Sequence, residues 1–309
     1  MLKPSTLTQK PMGKADIHIH TVFSDGLMTP EALVEFVIAK TDLNVIAVTD
    51  HDTITGGLVA RAYTQHFKDQ FRPFEVIVGS EITSAEGEIL ALFIERDIPK
   101  GLSAAETVAR IHEQGGLAVA AHPFAQSSKI LPIKGMNGAG WLIETLPFDG
   151  VEVRNGTPTE WPTNHFARFQ NQRMAKHSET GGSDGHYLPT VGSSYTRFEG
   201  TTAEDLRASI IAGTTSAGGH IYNPFHIFGL IYEARMKRLP TRTLPIERAR
   251  HWPLSAAYEG PLVVETPISE QPTKPALQVK PIWVAEVETQ QSEADYRPYE
   301  IEPMKSTVE

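Results

Sequence analysis

A chain of 309 residues with 40% hydrophobic content is long enough to fill the core of one large domain. It contains no cysteine and carries a formal charge of -9. Disulfides, thiolate zinc sites, iron–sulfur clusters and cysteine nucleophiles are thereby excluded, and a protein whose affinity comes from neutralising a long phosphate backbone is disfavoured.

Residues 1–13 are expected to form a flexible amino terminus: Met1 to Lys14 is polar and has no apolar core of a leader peptide. No stretch approaches the roughly 18 apolar residues of a membrane span, so a soluble cytoplasmic protein is expected. The first informative segment is Asp16-Ile17-His18-Ile19-His20. In a strand, alternate side chains share one face at roughly 6.6 to 7 Å, so His18 and His20 can close on one ion. Ser24-Asp25-Gly26 follows, and Thr29-Pro30-Glu31 opens a helix with an N-cap, a first-turn proline and an acidic residue.

Four later segments repeat this grammar of an apolar run that ends in ligand-type residues. Val45 to Val48 leads into Asp50-His51-Asp52, Val76 to Val78 into Glu81, Leu117 to Ala121 into His122-Pro123, and a Gly181-Gly182 turn into Asp184-Gly185-His186. Between them, Ser103 to Glu106 reads as a capping box for a helix that Gly115-Gly116 stops, residues 164–177 read as a helix, and Thr201-Thr202 starts another that Gly213 ends. Gly56-Gly57 reads as cap or turn rather than a phosphate cradle. Helix between strands, repeatedly, implies an α/β fold with a mostly parallel sheet, and ligands at the carboxyl ends of successive strands are where an α/β barrel builds its site.

From Pro240 onward ten prolines punctuate mixed charges without lasting apolar periodicity. Residues 14–238 are therefore expected to form the catalytic domain and 239–309 a proline-rich, disordered tail. Its short apolar patches at 260–264 and 279–284 offer contacts to the domain or to an unidentified protein partner.

Without sulfur ligands, any metal is held by imidazole, carboxylate, carbonyl or water, and the mixture suits manganese, zinc or iron better than calcium. Two or three divalent cations would carry about +4 to +6 against roughly four carboxylates, so a small phosphorylated substrate can enter an otherwise acidic protein. Seven other histidines (66, 112, 165, 177, 220, 226 and 251) are assigned to surface or hydrogen-bonding roles. Arg154 and Asn155, at the end of the strand-like Gly150 to Val153, are candidates to grip phosphate, with rim pairing the equal alternative for Arg154. The loop 125–140, with Ser127, Ser128 and Lys129, is expected on the substrate side. No Walker-type loop, dinucleotide fingerprint or nucleophile elbow is present, which leaves water as the nucleophile.

Six motifs in order give the chain a family resemblance: Asp16-x-His18-x-His20, Ser24-Asp25-Gly26, Thr49-Asp50-His51-Asp52, Gly79-Ser80-Glu81, Ala121-His122-Pro123 and Gly182-Ser183-Asp184-Gly185-His186. Over about residues 13–220 the sequence resembles the PHP (polymerase and histidinol phosphatase) superfamily of metal-dependent phosphoesterases. The resemblance implies a distorted seven-stranded β/α barrel. It places a first ion on His18, His20, Glu81 and Asp184, a second on bridging Glu81 and His122, and a third, present in some members, on Asp25, His51 and His186.

Many relatives carry a histidine after the bridging glutamate, where this chain has Gly87-Glu88-Ile89-Leu90. Glu88 either ligates the second ion, which would shift preference toward manganese or iron, or faces solvent; ligation is favoured. Asp16, Asp50 and Asp52 are expected to orient ligand imidazoles through the non-coordinating nitrogen, with turn or cap duty the alternative for Asp52. The implied reaction is attack of a metal-bridging hydroxide on a small phosphomonoester such as a nucleotide, sugar phosphate or amino-alcohol phosphate. His51, His186 and Asp184 are the catalytic candidates, either histidine protonating the leaving group. A short-oligonucleotide exonuclease, a non-catalytic binding protein of this fold and an amide or ester hydrolase remain the alternatives.

Overall fold

The computed structural model describes residues 10–125, 138–223 and 225. The expected tail from 239 onward, Ser127, Ser128 and Lys129 lie outside the described residues. Within them no helix is long and apolar enough to cross a membrane.

Nine strands form one sheet: β1 Met12–Asp16, β2 Val45–Val48, β3 Glu75–Thr83, β4 Glu88–Leu92, β5 Leu117–Ala120, β6 Gly150–Asn155, β7 Ser178–Gly182, β8 Ser194–Glu199 and β9 Ser216–Gly219. Their order is β7-β6-β5-β4-β3-β2-β1-β8-β9. Among the described residues five α-helices accompany them: α1 Pro30–Lys40, α2 Thr55–His66, α3 Ala104–Glu113, α4 Trp161–Gln170 and α5 Ala203–Ile211. The sheet nearly closes. Gly181 and Thr196 exchange two hydrogen bonds of 2.9 Å between β7 and β8, and Ile19 bridges Gly185 in parallel just past the ends of β1 and β7.

Several expectations change here. Nine described strands replace the expected seven, because β8 and β9 extend the sheet beyond β1 in antiparallel fashion. A mostly parallel sheet is also overturned: β3–β4 and β4–β5 are antiparallel too, so only four of the eight pairings are parallel. A hairpin explains this, since β3 runs on through Glu81 to Thr83 and turns directly into β4. Glu81 is thus inside a strand rather than after one. Gly181 and Gly182 belong to β7 and form no turn. β1 already begins at Met12, two residues inside the segment expected to be flexible.

The helix signals operate as chemistry predicts. Thr29 accepts from the Ala32 amide, Ser103 from the Glu106 amide, and Thr202 exchanges a capping box with Asp205, each satisfying donors that an open helix start leaves bare. The helix expected over 164–177 starts earlier, at Trp161, and finishes in a π-helical turn over Asn171–Ala175 that left-handed Lys176 stops. Gly56 and Gly57 lie inside α2, not at a cap. The reason is space: a β-carbon on Gly56 would stand 2.0 Å from Asp50 Oδ2.

Strand alternation splits the core in two. Val78, Ile82, Ile89, Ala118, Ala120, Val151 and Val153 pack with Val108 and Ile111 of α3 and Ala167 of α4. The intervening residues Ala15, Val45, Ala47, Leu90, Leu92, Leu117 and Val119 pack on the other side, where Leu206 and Ile210 of α5 close the cluster. Fully burying one such aliphatic side chain contributes roughly 1.5–3 kcal/mol, so these two layers hold the sheet and leave its rim free for polar residues.

Candidate metal centre

β1 delivers two histidines because the chain keeps its alternation beyond Asp16. His18 and His20 are fully buried, and their Nε2 atoms stand 3.1 and 3.2 Å from the same oxygen, Glu81 Oε2. Asp184 Oδ1 lies 3.6 and 3.3 Å from the same two nitrogens. The four residues read as the first ligand group are therefore brought together. Glu81 also turns its other oxygen, Oε1, to His122 Nε2 at 3.0 Å.

Glu88 joins on that side. It is buried, its Oε2 is 3.7 Å from His122 Nε2 and its Oε1 is 3.8 Å from His51 Nδ1. The solvent-facing alternative for Glu88 is thus excluded. The remaining group gathers around Asp25, with His186 Nε2 at 3.1 Å, His20 Nδ1 at 3.7 Å and His51 Nε2 at 3.8 Å. His20 was not read as part of this group from sequence; its ring presents one nitrogen to each side. Asp25 is 57% exposed by its side chain and His51 and His186 about a quarter, so the centre opens on this side.

Whether a cation fits can be judged from the hydrogen bonds. Buried polar atoms are nearly always paired. Here His18 Nε2, both nitrogens of His20, His122 Nδ1 and both oxygens of Glu88 are buried with no hydrogen-bond partner. Convergent imidazole and carboxylate lone pairs of this kind are what a divalent ion binds. The residues fit the group.

Electrostatics agree. Burial pulls His18, His20 and His122 down, but adjacent carboxylates, chiefly Glu81 and Asp184, outweigh it: His18 is held well above its ordinary value and the other two reach about 10. Burial likewise opposes ionisation of Glu81 and Asp184, yet the histidines hold both well below the usual carboxylate range. Glu88 goes the other way. Its burial, with Glu81 beside it, pushes it up to about 8. Protons on these imidazoles supply the positive charge that the crowded carboxylates require.

The backbone is drawn into the site as well. His122 and Asp184 adopt φ of 24° and 53°, sparsely populated for residues with a β-carbon, at a cost of order 1–3 kcal/mol each. Gly182 is required where it stands, since a β-carbon there would lie 2.4 Å from that of His18 and 2.9 Å from Glu152 Oε1.

Glu152 is the residue that sequence reading missed. Fully buried on β6, it takes His18 Nδ1 at 3.1 Å, the His122 amide at 2.9 Å and Asn155 Nδ2 at 3.1 Å. A carboxylate only accepts, so His18 donates from Nδ1, which leaves Nε2 facing the centre, where it can offer a lone pair to an ion in exchange for its proton. The signal available beforehand was a glutamate flanked by valines, a charge where a buried strand should be apolar.

By contrast, Asp16, Asp50 and Asp52 touch no ligand imidazole, which corrects the orienting role expected for them. Asp16 accepts amides of Ser183 and Gly192, both at 2.8 Å; Asp50 accepts Thr21 N, Thr21 Oγ1 and Ser24 Oγ at 2.6–2.7 Å; Asp52 accepts Thr83 N at 2.9 Å. They tie strand ends together.

The two described residues read as phosphate grips are placed elsewhere. Asn155 is buried and donates to Glu152 and Asp184, both at 3.1 Å. Arg154 is not brought to the centre: a bulge between Glu152 and Arg154 breaks the alternation, and burial together with Arg168 and Arg197 lowers its pKa. It belongs to an outer basic group. Tyr222, also unforeseen, lies 3.2 Å from Thr157 Oγ1 at the edge of the centre, and burial pushes its phenol up to about 12.

A family model of the PHP domain matches residues 16–186, and one described as PHP-associated matches 170–215. An uncharacterised protein of Methanocaldococcus jannaschii is 40% identical over 165 residues, which are 50% of this chain and 88% of that protein. A second from the same organism is 29% identical over 193 residues, 60% of this chain and 70% of that one. Among solved structures, a two-domain protein of Bacteroides vulgatus containing a predicted PHP-like metal-dependent phosphoesterase superposes with a TM-score of 0.53 at 21% identity. That likeness concerns the fold and covers 68% of this chain and 66% of the other, so about a third of the two-domain protein lies outside it.

Proposed function

The chain belongs to the PHP-domain family, and from that premise we propose that it is a metal-dependent phosphoesterase whose substrate is a small phosphomonoester. The observation that carries this reading is the buried convergence of His18 Nε2 and His20 Nε2, neither with a hydrogen-bond partner, on Glu81 Oε2, beside Glu88, both of whose buried oxygens are also without one. Divalent ions held there would supply Lewis acidity toward phosphoryl oxygens and bring the pKa of water toward ~7.

The chain's own residues divide the remaining work. His18, His20 and Asp184 would hold one position, with Glu81 Oε2 beside the two histidines. Glu81 would share the next with His18 and His122 on one side and with His51 and Glu88 on the other, and Asp25, His51, His186 and His20 would hold the outermost. Two or three ions of the manganese, zinc or iron kind suit these sets. Glu152 and Asn155 orient the ligands from behind. His186 donates Nδ1–H to the Asp184 carbonyl at 3.0 Å, which leaves Nε2 facing the open side beside Asp25. There, when no ion saturates it, His186 or His51 can pass a proton to a leaving oxygen.

A small substrate follows from charge. With -9 overall and an exposed Asp25 at the mouth, a long polyanion is repelled once it extends past the ions. The test is a metal-replete preparation offered nucleoside, sugar and amino-alcohol monophosphates beside oligonucleotides. Chelator-sensitive phosphate release from a monoester is expected. Degradation of nucleic acid with no release across the monoester panel would overturn the choice of substrate.

A further inference from the structure

Past β9 the chain returns across the edge of the metal centre, and the Tyr222 amide donates to the Gly156 carbonyl at 2.8 Å. This fixes the phenol 3.2 Å from Thr157 Oγ1, which in turn lies 3.4 Å from Asp184 Oδ2. The Thr157 amide is anchored on Asn155 Oδ1 at 2.8 Å, and Asn155 Nδ2 reaches the same Asp184 oxygen at 3.1 Å. The two oxygens of Asp184 therefore have separate surroundings. Oδ1 faces His18, His20 and His186, while Oδ2 faces Asn155 and Thr157.

Donor counting sets the direction of this chain. An ionised carboxylate accepts only, and a threonine hydroxyl has one hydrogen. Thr157 must give that hydrogen to Asp184, so toward Tyr222 it can only accept, and the phenol must be the donor. We propose that Tyr222 is a positioning residue for the metal ligand Asp184: through Thr157 it holds Oδ2 in place and so presents Oδ1 to the ions. Tyr222 lies beyond both matched family segments, which end at 186 and 215. The proposal rests on Asp184 being a ligand but not on which ester is cleaved.

Outer partners that touch a ligand directly change metal affinity by about 10–100-fold. Tyr222 acts one step further out and through a contact of 3.4 Å, long for two oxygens, so a loss of about 3–10-fold is expected. The full chain, stripped of metal, is titrated with Mn²⁺ and free ion is read by electron paramagnetic resonance. Tyr222→Phe, which keeps the ring, should weaken binding by that factor, as should Thr157→Val, while Thr157→Ser should bind like the original. The double variant Tyr222→Phe with Thr157→Val should lose no more than Thr157→Val alone, because the phenol acts only through the hydroxyl. Unchanged affinity in Tyr222→Phe, or losses that simply add, would overturn the relay. An original chain that binds no Mn²⁺ would instead overturn the metal reading of Asp184, and the relay with it.

Discussion

Two groups of buried acids share the rim of the sheet and differ in what surrounds their lone pairs. Around Asp16 and Asp50 the oxygens meet backbone amides and hydroxyls at 2.6–2.8 Å, donors fixed by strand ends and turns. Around Glu81, Glu88 and Asp184 the neighbours are mainly imidazoles, several of whose nitrogens, like both oxygens of Glu88, have no hydrogen-bond partner. The first arrangement is complete without an ion and the second is not. Burial alone therefore does not mark a ligand. Burial with unspent imidazole and carboxylate lone pairs that face one another does, and the two groups should respond differently to substitution.

Glu81→Gln should show the largest effect, because one carboxylate faces two ligand groups. Metal affinity and any hydrolysis should fall by more than about 100-fold, beyond what outer partners cost, while the metal-free protein keeps its fold with a lowered melting temperature, because the buried imidazolium groups lose a paired carboxylate. Metal analysis with calorimetric melting checks both halves. A metal-free protein that unfolds would make Glu81 scaffold instead.

Asp50→Ala should behave differently. It strips partners from the Thr21 amide and two hydroxyls, each buried unsatisfied group costing about 1–3 kcal/mol, so a loss of about 3 kcal/mol or more in denaturant unfolding is expected. Metal bound per folded molecule should hardly change.

Glu152→Gln sits between the two. An amide in place of the carboxylate cannot accept at every contact with His18, His122 and Asn155 at once, so metal affinity should fall by about 10–100-fold. Equilibrium dialysis of the refolded variant decides, and unchanged affinity would remove Glu152 from the ligand scaffold.

The smallest effect is a pH profile of the protein without metal. His20 and His122 titrate near 10 in the fold against an ordinary 6.5, so the folded state holds their protons more tightly. The stabilisation is complete below pH 6.5 and is lost as pH climbs through about 10. Melting temperature should decline across that window without metal and stay flatter with metal bound, when ions rather than protons face the carboxylates. Parallel profiles would contradict the substitution of one positive charge for the other.

How far such distinctions were legible can be followed residue by residue. His18 and His20 were recognisable as candidates because residue type and strand alternation are written along the chain, and Glu81, His122 and Asp184 because an apolar run or a glycine pair leads into each. So were the starts of α1, α3 and α5, whose N-caps act within three residues. Glu152 was not: its value comes from three partners 3 to 134 positions away. Arg154 and Asn155 were both candidates to grip phosphate because the strand end they share faces the site, with rim pairing the equal alternative for Arg154; a bulge between Glu152 and Arg154, which leaves no compositional mark, separates the two.

Sequence alone determined the inventory of this protein: imidazole and carboxylate ligands without sulfur, an acidic chain, apolar runs that end at ligand-type residues. These follow from composition and from periods of a few residues. Only the tertiary structure decided which acids are scaffold and which are ligands, that β3 and β4 pair antiparallel, and that His20 and His51 each face two ligand groups. Those outcomes depend on which lone pairs the folded backbone has already filled, a quantity that exists only when distant segments meet.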